Sequence, residues 1–391
     1  NAHEESWFEK LKPVLSNFTA KLSYSLTADR GPSSITNSRA VIKADNPWRP
    51  SANDKESSLY IAWLANNDLT YEKKHELNFG LDAGFLNNRI NFTFDIYTRR
   101  NYDLIGATNT MGIGGETTKY GNVAKMKSNG VELSLNTVNI KTKDFTWSTD
   151  FIYSHMHNEV TELNTYNRLY DYISGYGFTM PGYPQRSLFS IPFAGLNNEG
   201  LPTFYDPDGN ITVTGIDMQE YDPERLKFLK YEGPADPTDV GSLGNIFRYK
   251  NLTLNLFITY SFGNVVRLDP VFSSQYSDLT ATPKEFNNRW IKPGDEKFTN
   301  IPVIASKQQL NNIAYLSRAY QSYNYSTARV AKGDFIRMKE ISLAYEFPKT
   351  LTQPLHLSNL SLKLQATNLF LLYADKKLNG QDPEFFNTGG V

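Results

Sequence analysis

The chain has no cysteine among its 391 residues, a net charge of only −1, and no apolar run approaching the roughly 18 residues of a membrane helix. Each absence closes off a class of protein. With neither sign of charge in excess there is no basic field to hold a phosphate backbone, so nucleic acid is excluded as a partner. A mean hydropathy of −0.48, together with the missing long run, excludes a helical membrane protein. It leaves a transmembrane β-barrel open, because barrel strands are only half apolar and their loops are polar. The lack of disulfides excludes little, since a closed barrel is held by its hydrogen-bond ladder. No apolar leader follows Asn1, so a mature chain or a fragment is expected.

Catalytic signatures are missing as well. There is no G-x-S-x-G, no H-E-x-x-H and no Cys-His arrangement, and no carboxylate pair stands out, so no catalytic residue is assigned and an enzyme is not expected. His155 and His157 are two apart at a strand end but lack a third ligand of recognisable spacing. The YDPDGN stretch at 205–210 lacks the spacing and distal Glu of a calcium loop and reads as a tight turn around Asp208 and Gly209. GIGG at 112–115 lacks the context of a phosphate-binding fingerprint and reads as a flexible loop. No metal and no cofactor is expected.

What the chain does have is alternation. Leu77, Phe79, Leu81, Ala83 and Phe85 interleave with Glu76, Asn78, Gly80, Asp82 and Gly84. After a turn at 86–89, Ile90, Phe92, Phe94 and Ile96 interleave with Asn91, Thr93, Asp95 and Tyr97. Period 2 over about ten residues predicts two antiparallel strands long enough to cross a bilayer when tilted. The pattern recurs at Phe18–Leu26, Val131–Asn136, Phe145–Tyr153, Leu252–Phe262, Ile341–Phe347 and Leu360–Ala366, and about ten to twelve strands are predicted in all. One short surface helix is predicted over 283–290.

Short links, at 86–88, 139–144 and 348–358, take turns with long ones, at 27–58, 99–128, 155–187 and 263–324. Tight turns at one end and extended loops at the other are the asymmetry of an outer-membrane barrel, whereas a sandwich puts loops of similar length at both ends. In a barrel the apolar set faces lipid. The polar set, including Asp82, Asp95, Glu132, Asp150, Lys363 and Gln365, then faces a wet lumen.

Several segments in order carry a family resemblance. They are NDLTYEKKHELNFGLDAGFLNNRINFTFDIYTRRNYDLI (67–105), GNVAKMKSNGVELSLN (121–136), IPFAGLNNEGLPTFYDPDGN (191–210), GDFIRMKEISLAYEFPK (333–349) and LQATNLFLLYADKKLNGQDPEF (364–385). Together they resemble the C-terminal part of SusC/RagA-type TonB-dependent transporters. The resemblance implies an all-β fold in which residues 1–391 are one domain, the C-terminal portion of a large antiparallel transmembrane barrel, 22-stranded in the family. It also implies a multi-pass protein of the Gram-negative outer membrane. Active import of an oligosaccharide, or of a peptide, is expected, with a SusD-like lipoprotein over the mouth and energy from the TonB complex. Dimers of transporter–lipoprotein pairs are implied too. The plug, the TonB-contacting segment and the remaining strands are expected to come from elsewhere, this chain supplying about half a barrel.

Binding candidates are aromatic. Tyr166, Tyr170, Tyr172, Tyr176, Phe178 and Tyr183 cluster in one long loop with Asn167, Arg168 and Asp171 among them, and Trp48 and Trp290 are candidates of the same kind. Flat rings stack on the apolar faces of sugars, while Arg and carboxylates bond hydroxyls. The same rings also serve to pack a loop or to stand in a membrane girdle. A second reading of the whole chain is a soluble or surface-attached β-sheet module that binds glycans through these loops without transport. It requires the apolar strand faces to be buried against each other.

Overall fold

The computed structural model describes residues 6–12, 14–31, 39–45, 58–112, 118–165, 167–174, 177–271 and 283–384. Nine of the strands form one antiparallel sheet in which every strand pairs with its neighbour in chain order. They are β1 (Leu15–Asp29), β2 (Glu72–Phe85), β3 (Ile90–Asn109), β4 (Thr118–Lys141), β5 (Phe145–Leu163), β6 (Asp239–Tyr249), β7 (Leu252–Phe262), β8 (Phe335–Glu346) and β9 (Ser361–Ala374). The expected ten to twelve strands in all are corrected: the described residues hold eighteen, nine of them in this meander. Short strands such as Ser187–Ser190, Phe193–Leu196, Pro202–Tyr205 and Lys230–Pro234 pair only among themselves. They lie in the long loops and not in the main sheet.

The link predicted at 99–128 is also corrected. β3 and β4 continue as a paired hairpin to Asn109 and Thr118, with bulges around residues 101–105. Gly, Asn and Thr dilute the hydrophobic pattern there because both faces lie beyond the apolar band, yet the backbone pairing resumes after the bulges. The predicted helix at 283–290 is a 3₁₀ turn, Lys284–Asn288.

Register fixes which residues share a face. Asp95 opposes Glu132, Asn136 opposes Asp150, Asp150 opposes Gly244, and Gly244 opposes Phe257. Gln365 opposes Ser342, which opposes Asn255. The polar set named from sequence therefore lies on one face across the sheet. On the other face an apolar row runs Trp147, Phe247, Leu254, Leu343, Leu364, and the row above it runs Phe92, Leu135, Phe151, Leu243, Ile258, Met338. A one-residue slip anywhere would exchange the two faces, so the chemistry itself holds the register.

Rings flank this apolar band. Toward the short turns stand Phe145, Trp147, Tyr249 and Tyr345, and toward the long loops Tyr153, Tyr260 and Tyr373. A polar spot in the band is satisfied: Asn245 accepts from the Trp147 indole N–H at 2.9 Å and the Thr149 hydroxyl at 2.8 Å. Leu22, Tyr24, Leu362 and Leu364 are exposed at 57–74%. Among the described residues no other layer covers them, which is the reverse of what the soluble-module reading requires. β1 and β9 are the open edges of the sheet.

All the tight connections, at 86–89, 142–144, 250–251 and 347–360, lie at one end, and the long ones at the other. The described residues within 164–238 and 263–334 fold together over that far end around a core of their own. It contains Leu169, Ile173, Ile191, Phe204, Leu316 and Tyr323, all at most 1% exposed. Burial of each large apolar side chain contributes on the order of 1.5–3 kcal/mol, so these loops form a packed layer.

Candidate functional site

The loop layer rests on the polar face of the sheet. Asn158 opposes Ser128 and Val160 opposes Met126, two and three steps further along the face that carries Glu132. The Asn158 side-chain oxygen accepts the Gln185 backbone N–H at 2.7 Å, and the Val160 N–H donates to the Tyr183 carbonyl at 2.9 Å. Further along the chain, Arg337 on β8 is 5% exposed. Its Nε lies 2.7 Å from a Glu384 carboxylate oxygen, and Asp382 pairs with the same guanidinium. The segment after β9 is thereby folded back onto the sheet.

Where loop and wall meet, a cavity of about 330 Å³ opens. Leu104, Val123, Met126, Val160, Leu163 and Phe178 supply its apolar surface, and Asn167, Thr179 and Gln185 its polar groups. Size and lining, mostly apolar with a few hydrogen-bonding side chains, are those of a small-ligand pocket. Sequence reasoning found only Phe178 and Asn167 of this set. The available signal was the run of apolar residues, Met126 and Val160, on a face whose pattern is otherwise polar.

The sequence-predicted aromatics divide. Tyr172 packs edge-on against Phe178, at 4.9 Å between centroids, and against Phe189 at 6.0 Å. Tyr183 packs against Phe189 at 5.3 Å and Tyr231 at 4.7 Å. These faces are occupied by other rings of the layer. Tyr170 touches Tyr325 edge-on and is 37% exposed. Arg168 and Asp171 pair with each other at 3.0 Å, and the Arg168 N–H donates to Asp171 Oδ2 at 2.8 Å, closing the first turn of the helix Leu169–Ile173. Trp290 is 8% exposed. It lies over Gly200, where a Cβ would come within 2.4 Å of the ring, and its indole N–H donates to Glu296 at 3.0 Å. That bond holds the Glu296 carboxyl below its usual range. Tyr166, Tyr176 and Trp48 lie outside the described residues. The segment at 205–210 is the expected tight turn, with Asp206 Oδ1 accepting from the N–H groups of Asp208 and Asn210. His155 bonds Asp239 at 2.9 Å, and among the described residues no group of three metal-ligating side chains occurs.

Beneath the loops lies a buried polar stratum that sequence reading missed. Arg329, 1% exposed, pairs with Glu285 and donates to the Asp269 carbonyl. Arg267 donates to the Phe189 carbonyl at 2.6 Å, and burial pulls its guanidinium down to about 10. Burial likewise pushes the Tyr323 hydroxyl up to about 12. Breaking a buried pair such as Arg329–Glu285 costs about 3–5 kcal/mol, and the Arg267–Phe189 bond joins this region to the loop that carries Phe189.

A sheet apolar on one face, polar on the other, girdled by rings and capped at one end by packed loops is a segment of a transmembrane β-barrel. Comparison with known proteins narrows this. No family model matches the chain. It is 24% identical over 400 aligned residues to TonB-dependent receptor P3 of Formosa agariphila, covering 96% of this chain and 37% of the relative. It is 27% identical to TonB-dependent receptor SusC of Bacteroides thetaiotaomicron, covering 82% of this chain and 30% of that protein. A solved structure of the RagAB peptide transporter superposes with a TM-score of 0.72 at 24% identity, over 98% of this chain and 40% of that one. The chain is similar to SusC/RagA-type TonB-dependent receptors and shares the fold of part of their barrel. It spans about a third of the length of the curated relatives it matches.

Proposed function

We propose that this chain forms part of an outer-membrane receptor that imports a nutrient with energy delivered through TonB, beneath a SusD-like lipoprotein lid. The observation that carries the reading is the two-faced sheet, whose apolar side needs lipid and whose polar side is overlain by loops that create a binding cavity. Relatives named as TonB-dependent receptors agree with it.

Of the two expected substrate classes, the cavity favours a peptide. A sugar ring needs an open aromatic face and several hydroxyl partners, whereas this lining is chiefly aliphatic and takes an apolar side chain, with Asn167 and Gln185 at hand for a backbone amide. Phe178 and Tyr170 are the members of the loop cluster assigned to substrate contact. Arg168, Asp171, Tyr172, Tyr183 and Trp290 act through the shape of the loops.

Val160→Trp, which fills the cavity, is expected to lower TonB-dependent peptide uptake about tenfold or more, the worth of one well-buried apolar contact. Uptake unchanged by the substitution, at equal receptor level in the membrane, would remove the cavity from the path.

A further inference from the structure

On the lipid-facing side of the sheet, just past the apolar band toward the loops, nitrogen-bearing side chains stand directly opposite one another. His75 on β2 opposes Arg100 on β3, and Arg100 opposes Lys127 on β4. Four residues nearer the turns the same face carries Phe79, Ile96 and Val131. At strand rise and barrel tilt the cationic row lies roughly 9 Å above that apolar row.

Like charges directly opposed across a ladder are destabilising unless something neutralises them. The neighbouring cations have partners of their own: Lys127 pairs with Glu159 at 2.9 Å, Lys125 with Glu162 at 2.6 Å, and Lys73 with Asp103 at 2.7 Å. His75 is bonded by the Tyr24 hydroxyl at 2.6 Å. Arg100 is exposed and, among the described residues, has no ion pair. It stands at the centre of the row, between His75 and Lys127.

We propose that Arg100, flanked by His75 and Lys127, holds a phosphate of a lipid headgroup in the outer leaflet. The charge is complementary, a guanidinium offers a fork that matches phosphate oxygens, and the site is continuous with the band where acyl chains lie. A headgroup there fixes the depth and rotation of the barrel wall beside the β3–β4 hairpin. Because the inference rests on the membrane-wall reading, its test must separate the two.

The intact receptor, purified in detergent, is mixed with diphosphorylated lipid A, with the same lipid after phosphatase treatment, or with inorganic phosphate, and adducts are measured by native mass spectrometry. Lipid A is expected to be retained in preference to its dephosphorylated form, and Arg100→Ala to weaken retention about fivefold, as for the loss of one interfacial cation. Lys21→Gln, on the opposite face, is expected to leave it unchanged. Equal retention of both lipids, or equal retention by Arg100→Ala and the unaltered receptor, overturns the site. Competition by inorganic phosphate alone at the same concentration as lipid A also overturns it, since the row is then a free-anion site. A receptor that stays dispersed without detergent overturns the membrane reading first, whatever binds at Arg100.

Discussion

At the scale of single residues, the loop layer is built by groups whose roles depend on partners far away in sequence. Tyr172 and Tyr183 were visible as a cluster from their spacing alone. That their faces are covered was not, because Phe189 and Tyr231 reach them only after the chain has turned back. Trp290 illustrates the same point, since Gly200 and Glu296 meet its ring from two sides. The pair makes a prediction. A carboxyl whose folded value lies below its ordinary 4.5 stabilises the fold fully above that value, and the contribution is lost as pH falls through the lowered folded value. Tryptophan emission that reports on Trp290, isolated by difference with Trp290→Phe, is expected to change on acidification below about pH 4.5. Glu296→Gln should flatten that change. An unaltered acid transition in Glu296→Gln would show that another group controls it.

Elements were the most legible level. Strand direction, facing and the tight turns at 86–89 and 142–144 follow from period-2 alternation, which a half-apolar sheet imposes on its sequence. Less legible were the extensions of β3 and β4 beyond the apolar band, where neither face has to be hydrophobic, and the loop core, whose residues share no period. Facing is open to direct test. Leu254 and Asn255 are neighbours on β7, but Leu254 lies in the apolar row and Asn255 on the polar face. Arg at 254 is expected to destabilise the barrel by about 2–4 kcal/mol, the cost of a cation at mid-membrane. Arg at 255 should cost far less. Urea titration followed by heat-modifiable gel migration measures both, and equal losses would deny that the strand has a lipid side.

For the molecule as a whole, the open edges of β1 and β9 and the uncovered apolar face are one fact seen twice. Unpaired backbone groups in hydrocarbon cost several kcal/mol each, and apolar rows in water invite association. A nine-stranded sheet of this kind is therefore at rest only as part of a longer closed wall with lipid around it, in keeping with relatives about three times its matched length. The loop layer and its cavity then sit at the mouth of that wall. The buried Arg329–Glu285 pair braces the last long loop, and Arg267 joins it to the loop that carries Phe189.

The missing cysteines allow the central claim to be tested residue by residue, because any cysteine introduced into this chain is unique within it. Single cysteines placed in turn from Leu252 to Phe262 would be labelled in native membranes with a lipid-soluble and a membrane-impermeant maleimide. Positions 254, 256 and 258 are expected to react only with the lipid-soluble reagent, and positions 253, 255 and 257 with the aqueous one once the outer membrane is permeabilised. Uniform aqueous labelling at every position would mean that the apolar face meets no lipid, and the transmembrane wall would have to be abandoned.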